Sequence, residues 1–203
     1  LRRFEAHHAE ETLGVFLAMD GNNKEEAKKL RQKSEEFADC ICTGFITKQE
    51  AWYALNATIM KTFEYPMEAI TLNTKQWDFI MSPVMMATLP RAGIVRTFPR
   101  DMVYAPADYC GLGILHPYYR QQLTHLKTLL SETMTNSITG DLMKACFEEL
   151  HLEVGMPGRS RDWRLPITKD ILTNCWMKDL LVFMEKHQMD LEDTQPLLMG
   201  NTT

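Results

Sequence analysis

Arginine is the residue type whose placement in this sequence could do chemistry. Arg91, Arg96 and Arg100 punctuate a stretch in which only Asp101 opposes them before Asp108, and Tyr104 and Tyr109 follow closely. Loop arginines spaced with aromatics suit contact with phosphates and with the sugars or bases beside them. The same composition also fits a solvated loop whose arginines pair with surplus acids, and the residues alone leave both readings open. A second basic run, Arg159, Arg161 and Arg164 around Trp163, reads more simply as solvated surface. Catalytic constellations are missing. There is no Gly-x-Ser-x-Gly, and Gly111-Leu112-Gly113 lacks the third glycine of a phosphate loop. His7-His8 beside Glu10 and Glu11 shows no third ligand at metal-binding spacing, and Cys40-x-Cys42 is too tight for a zinc knuckle. Two-metal nucleotidyl transfer needs carboxylates that hold a pair of ions about 4 Å apart. An adjacent Asp-Asp pair is a common sequence trace of such a site, and no two aspartates are adjacent here.

The bulk numbers bound the rest. In 203 residues, 22 Lys and Arg oppose 27 Asp and Glu, a formal charge of −5. A mildly acidic chain is not the global profile of a nucleic-acid binder, so any such contact must come from a local patch. Apolar runs fall far short of the roughly 20 residues needed to span a bilayer, and no secretory leader is visible. The odd number of cysteines, five, at irregular spacing reads as reduced thiols. The expected setting is therefore intracellular, in cytoplasm or nucleus, without a membrane. Leu1 reads like a cut into a longer reading frame.

The elements that must position these residues are mostly helical. Leu13, Val15 and Leu17 alternate as in a strand, and Asp20-Gly21 supplies a turn signal. Asn23 to Thr43 carries Ala27, Leu30, Phe37 and Ile41 as an apolar stripe, with Asn22 or Asn23 as cap and Gly44 as stop. Thr47 with Glu50 makes a capping box for a helix whose Trp52, Leu55, Ile59 and Phe63 share a face until Tyr65-Pro66. Asn73 with Gln76 opens a third helix, with Trp77, Ile80, Met81, Val84 and Met85 inward, Pro83 as a kink and Pro90 as its end. Further helices are expected from about Tyr118, from Ser137 to Leu152 and after Thr168. The fold class is mainly α: about six helices in two small units, one short N-terminal β-hairpin, and a long irregular Gly/Pro-rich connection. The expected division is 1–90, an irregular basic connection at 91–115, a second helical unit at 116–187 and a flexible tail at 188–203.

Three segments together resemble the region downstream of the palm in non-LTR-retrotransposon-type reverse transcriptases. The first is Thr12-Leu13-Gly14-Val15-Phe16-Leu17 with Asp20-Gly21, similar to the strand leaving the primer-grip hairpin. The second runs from Ala54-Leu55-Asn56 to Phe63-Glu64-Tyr65-Pro66, similar to a thumb helix and its proline break. The third is Leu89-Pro90-Arg91-Ala92-Gly93-Ile94, Phe98-Pro99-Arg100 and Cys110-Gly111-Leu112-Gly113-Ile114, similar to a glycine-rich box in which Cys110 takes the place of the first glycine. The resemblance covers roughly residues 10 to 190.

It implies a division of labour in which an upstream palm binds Mg²⁺ and does the chemistry, while this segment holds the RNA/DNA template–primer duplex. No catalytic residue carries over, and no cofactor is expected in the segment itself. Gly14 would let the backbone pass close to the primer. Arg91, Arg96 and Arg100 would touch phosphates of the exiting duplex, with Tyr104 beside them. The competing expectations are a stand-alone helical protein-interaction module and a non-functional retroelement relic.

Overall fold

The computed structural model describes residues 5–135, 137–155, 168, 170–173 and 175–189. The chain is mainly α-helical with a two-stranded antiparallel hairpin near its N-terminal end. It divides into two compact units, residues 1–121 and 122–203.

In the first unit, β1 (Glu10–Thr12) pairs with β2 (Val15–Leu17), with Thr12 opposite Val15. The two connecting residues, Leu13 and Gly14, both have positive φ, +50° and +82°. That is the turn whose twist matches a hairpin, and it places a glycine where one is favoured. The hairpin turn therefore falls at Leu13-Gly14, and Asp20-Gly21 closes a second turn, in which the Gly21 N–H donates to the Ala18 carbonyl at 3.0 Å and Gly21 has φ +73°. Asp20 turns the chain into the first helix, its Oδ1 accepting from the Asn22 N–H at 3.0 Å.

Helix α1 (Lys24–Thr43) buries Leu30, Ala38 and Ile41, together with two polar residues, Glu26 and Ser34. Both polar side chains are satisfied. Ser34 donates to the Leu30 carbonyl at 2.9 Å, and the Glu26 carboxylate accepts the Phe16 N–H at 2.7 Å, fastening the hairpin to the helix. α1 ends at Gly44 in extended backbone, φ −69° and ψ 146°, so this glycine is not serving as a left-handed cap.

Helix α2 (Lys48–Ala54) opens with the Thr47/Glu50 capping box, widens into a π-turn at Leu55–Ile59 and resumes as α3 (Met60–Glu64). Leu55, Ile59 and Phe63 are buried along it, and a 3-10 turn at Tyr65–Glu68 follows where Pro66 cannot donate.

Helix α4 (Thr74–Arg91) opens with the Asn73/Gln76 capping box and is the centre of the unit. Its buried residues, among them Trp77, Ile80, Met81, Val84, Met85 and Leu89, lie on more than one face, as expected of a helix surrounded by others. Phe63 packs edge-on to Trp77 with ring centroids 5.9 Å apart. Gln121, fully buried, closes this core. Its Oε1 accepts from the Leu72 N–H and the Trp77 Nε1–H, and its Nε2 donates to the Leu72 carbonyl.

α1 and α4 run parallel. Three hydrogen bonds cross between the segments that carry them: Asn23 to the Thr71 carbonyl, Arg31 to the Phe79 carbonyl and Arg91 to the Cys42 carbonyl, at separations of 48, 48 and 49 residues. A constant offset is the signature of parallel alignment. α4 continues through Pro83 and past Pro90 to end at Arg91. Pro83 has no N–H, so the carbonyl four residues earlier, that of Phe79, loses its helical partner. Arg31 supplies the missing donor.

Helix α5 (Arg100–Tyr104) and a 3-10 turn at Ala107–Tyr109 lie within the expected irregular connection. Helix α6 (Pro117–Thr133) contains the boundary between the units. The second unit continues through α7 (Ile138–Val154) and α8 (Trp176–Lys186). It buries Leu129, Leu150, Leu172, Leu180 and Phe183, with His125 edge-on to Trp176 at 5.3 Å. The second basic run, 159–164, and the tail from 190 lie outside the described residues.

The Arg31 donation should be measurable by a double-mutant cycle in urea. Arg31→Ala should cost about 1–2 kcal/mol, toward the low end for a charged donor because the bond lies at an exposed position. In a Pro83→Ala background, where residue 83 recovers its N–H, that cost should shrink by about 1 kcal/mol or more. Equal costs in both backgrounds would show that Arg31 does not serve the Phe79 carbonyl.

Candidate nucleic-acid interface

The arginine stretch begins where α4 ends. Leu89 and Pro90 carbonyls accept from the Ile94 and Gly93 N–H groups, turning the chain off the helix. Pro99 then starts α5, with Arg100 as its first residue and Tyr104 one turn later on the same face. The chain returns through 112–114, whose N–H groups donate to the carbonyls of Met102, Ala105 and Val103. Val103 and Ile114 are buried in the main core, and Ile94, Phe98 and Leu112 pack against it. The return is tight enough that a Cβ at Gly111 would fall 2.0 Å from the Ala105 carbonyl oxygen, so only glycine fits. Cys110 has left-handed backbone, φ +59°, a conformation that glycine adopts without strain and other residues rarely take.

A polar anchor holds this stretch to α4. Nδ1 of buried His116 accepts the Tyr118 N–H at 3.1 Å, so the ring proton sits on Nε2 and is donated to Asp78 Oδ1, also at 3.1 Å. Tyr104 packs edge-on against His116, ring centroids 4.6 Å apart. Burial first, and then the negative charge of Asp78, push the Tyr104 phenol up to about 12, against the opposing pull of Arg100.

The three expected arginines are in three different situations. Arg96 is exposed and forms no ion pair or hydrogen bond among the described residues. Arg100 lies beside Tyr104 and its buried Nη1 has no hydrogen-bond partner there. Arg91 spends one of its five donors on the Cys42 carbonyl, at the C-terminal end of α1 where carbonyls lack helical partners. Gly14 stands apart from this stretch, on the hairpin. Its carbonyl accepts from Lys29 Nζ at 2.7 Å, and a Cβ there would meet only Tyr65 at 3.9 Å, so its positive φ is what requires glycine. Tyr109 is 77% exposed.

Beside the stretch lies an apolar groove with a cavity volume of about 610 Å³. Ala92, Ile94 and Leu112 form one wall, and Trp52, Tyr53 and Asn56 form the other, with Lys48 at the rim. Tyr53 is 73% exposed. No family model, no curated protein and no solved structure matches the chain.

Sequence reading missed the Asp78–His116 anchor, because a pair 38 residues apart leaves no local pattern. It also missed a second basic surface, on α1 and the start of α4. Lys24, Lys28 and Arg31 recur at helical spacing and could have been noticed, but their juxtaposition with Lys75 and Phe79 could not. No cluster of three or more His, Cys, Asp or Glu suited to a metal ion occurs among the described residues. No described helix is long and apolar enough to cross a membrane.

Tyr104 gives a pH dependence with a definite sign. Its phenol ionises near 10 in the unfolded chain and about 12 in the fold. Between those values the folded state holds more protons than the unfolded state, so stability falls as pH rises. The contribution is complete below about pH 10 and lost through about pH 12, amounting to roughly 2–3 kcal/mol. In urea melts across that range, Tyr104→Phe should be less pH-dependent than wild type by about that amount. Parallel curves would mean that the phenol is not held in its neutral form.

Proposed function

We propose that this chain holds nucleic acid as the template–primer-gripping segment of a reverse transcriptase of the non-LTR retrotransposon type, working with an upstream catalytic palm. The observation that carries the reading is Arg96, whose exposed guanidinium forms no ion pair or hydrogen bond among the described residues, on a stretch whose backbone is anchored in the core and which carries the partly buried Arg100 beside it. Guanidinium groups of this kind bind phosphate oxygens in fixed geometry, and an anchored segment loses little order on binding. The adjoining groove with Trp52 and exposed Tyr53 adds aromatic surface suited to sugars or bases.

The glycine-rich box supports the family link. Cys110 stands where the resembled box has a glycine, and its left-handed backbone gives a physical reason for glycine there. The tight approach of Gly111 to Ala105 and the φ of +72° at Gly113 account for the other two. On this reading the segment binds and positions without turnover, since an Asp-Asp metal site is missing from its sequence. Its partners are the RNA/DNA duplex and the palm.

Anisotropy titration of a labelled RNA/DNA hybrid duplex across salt concentrations tests this. Wild-type affinity should fall steeply with salt, and the Arg96→Ala/Arg100→Ala pair should flatten the log–log slope by about two, near 0.9 per lost phosphate contact. Adding Arg91→Ala should flatten it by up to about three in total. Salt-independent or undetectable binding would remove the nucleic-acid reading in favour of a protein-interaction module.

A further inference from the structure

A second concave surface lies between α1 and the first turns of α4, with a cavity volume of about 550 Å³. Its rim carries Lys24, Lys28, Arg31 and Lys75, and its lining includes no carboxylate. Lys24, Lys28 and Arg31 follow one face of α1, and Lys75 faces them from α4. Because the helices are parallel, both N-terminal ends, with their partial positive charge, lie at this end of the groove.

The cations are lightly opposed. Glu25 lies 3.9 Å from Lys28, both side chains being well exposed, and Glu35 pairs with Arg31 Nε at 2.6 Å. Lys24 and Lys75 form no ion pair among the described residues. The floor carries an aromatic ring. Phe79 is 61% exposed, with the Arg31 guanidinium stacked 4.2 Å from its centroid. Arg31 is itself fixed by Glu35 and the Phe79 carbonyl, so the ring and guanidinium form a rigid step.

We propose that this groove binds a single strand of nucleic acid, with Lys24, Lys28 and Lys75 on successive phosphates and a base stacked against Phe79. Packed helices lie about 8–10 Å apart, and the concave cleft between two of them admits one extended strand where a duplex would need a protruding surface. A cationic track with an aromatic platform is how sequence-tolerant single-strand sites are built. An acidic peptide would use the lysines but would have no use for the exposed ring. The inference rests on the chain being a nucleic-acid holder and adds a strand-specific site separate from the arginine stretch. A single-stranded overhang of the template–primer would be its natural occupant.

The test is anisotropy titration of a fluorescein-labelled oligothymidylate of about twelve nucleotides on the whole chain, in parallel with the hybrid duplex. Lys24→Gln/Lys28→Gln/Lys75→Gln should flatten the single-strand salt slope by about two, near 0.7 per contact, and leave duplex binding unchanged. Phe79→Leu, which keeps apolar bulk but removes the ring face, should weaken the single strand about 5- to 100-fold at an unchanged slope. Circular dichroism of each variant is the control for an intact fold. Single-strand binding unaffected by the lysine and Phe79 changes overturns the proposal. So does polyglutamate competing as well as unlabelled oligothymidylate, which would make the groove a peptide site. Absent single-strand binding alongside intact, Arg96- and Arg100-dependent duplex binding sinks the groove alone. Absence of both sinks the functional reading with it.

Discussion

A proline in the middle of the central helix sets the problem that the first unit is built to solve. Pro83 deprives the Phe79 carbonyl of its helical donor, in a helix whose other faces are buried in the core. Phe79 lies at an exposed position, so the lost bond is worth about 0.5–1.5 kcal/mol, the net value of a single hydrogen bond. Arg31 answers from the neighbouring helix, and that answer fixes more than one bond. It sets the register between α1 and α4, and Asn23–Thr71 and Arg91–Cys42 repeat the same offset at the two ends. Parallel helices packed side by side gain nothing from their dipoles. Side-chain donors on carbonyls, together with the shared apolar seam, are what hold them in line.

Both candidate binding surfaces follow from that alignment. The N-terminal ends of α1 and α4 bring Lys24, Lys28 and Lys75 around one groove. The other end of α4 releases the chain into the arginine stretch, with Arg91 still tied to α1. Asp78 reaches the His116 ring and so couples the second turn of α4 to the return of that stretch. The hairpin is fastened to the same frame by Glu26, Lys29 and Tyr65, which bond to Phe16, Gly14 and Leu13 respectively.

What was legible in the sequence is what local physics determines. Thr47/Glu50 and Asn73/Gln76 are capping boxes in the structure, because the pattern states its own geometry within four residues. The Tyr65-Pro66 break and the helical stripes were readable for the same reason. Asp20-Gly21 does turn the chain, but the hairpin turn at Leu13-Gly14 is hidden in the sequence, because Leu13 alternates with Val15 and Leu17 as in a strand and a leucine at positive φ is unusual. Glu26 and Ser34 were passed over as core positions because polarity argues for exposure unless the partner is known, and Glu26's partner is a backbone N–H ten residues away. Pro83 could be read as a defect in α4, but the arginine that repairs it lies 48 residues from the carbonyl it serves. Pairings at that range depend on which helices become neighbours, and nothing in one helix's sequence names its neighbour.

The net charge of −5 is compatible with these surfaces once distance is counted. At physiological ionic strength the Debye length is about 8 Å, so a phosphate in a groove senses the cations around it and little of the distant acids. Several of the acids are already engaged: Glu11 with Lys29, Glu35 with Arg31, and Glu64 with Lys61 and Arg120. The α1–α4 groove keeps its cations on one side of a helix pair and has no carboxylate in its lining. Local separation of charge can thus give an acidic chain polyanion-binding faces. On the proposed reading, the same separation limits nonspecific association, since the long-range field of an acidic molecule does not attract polyanions.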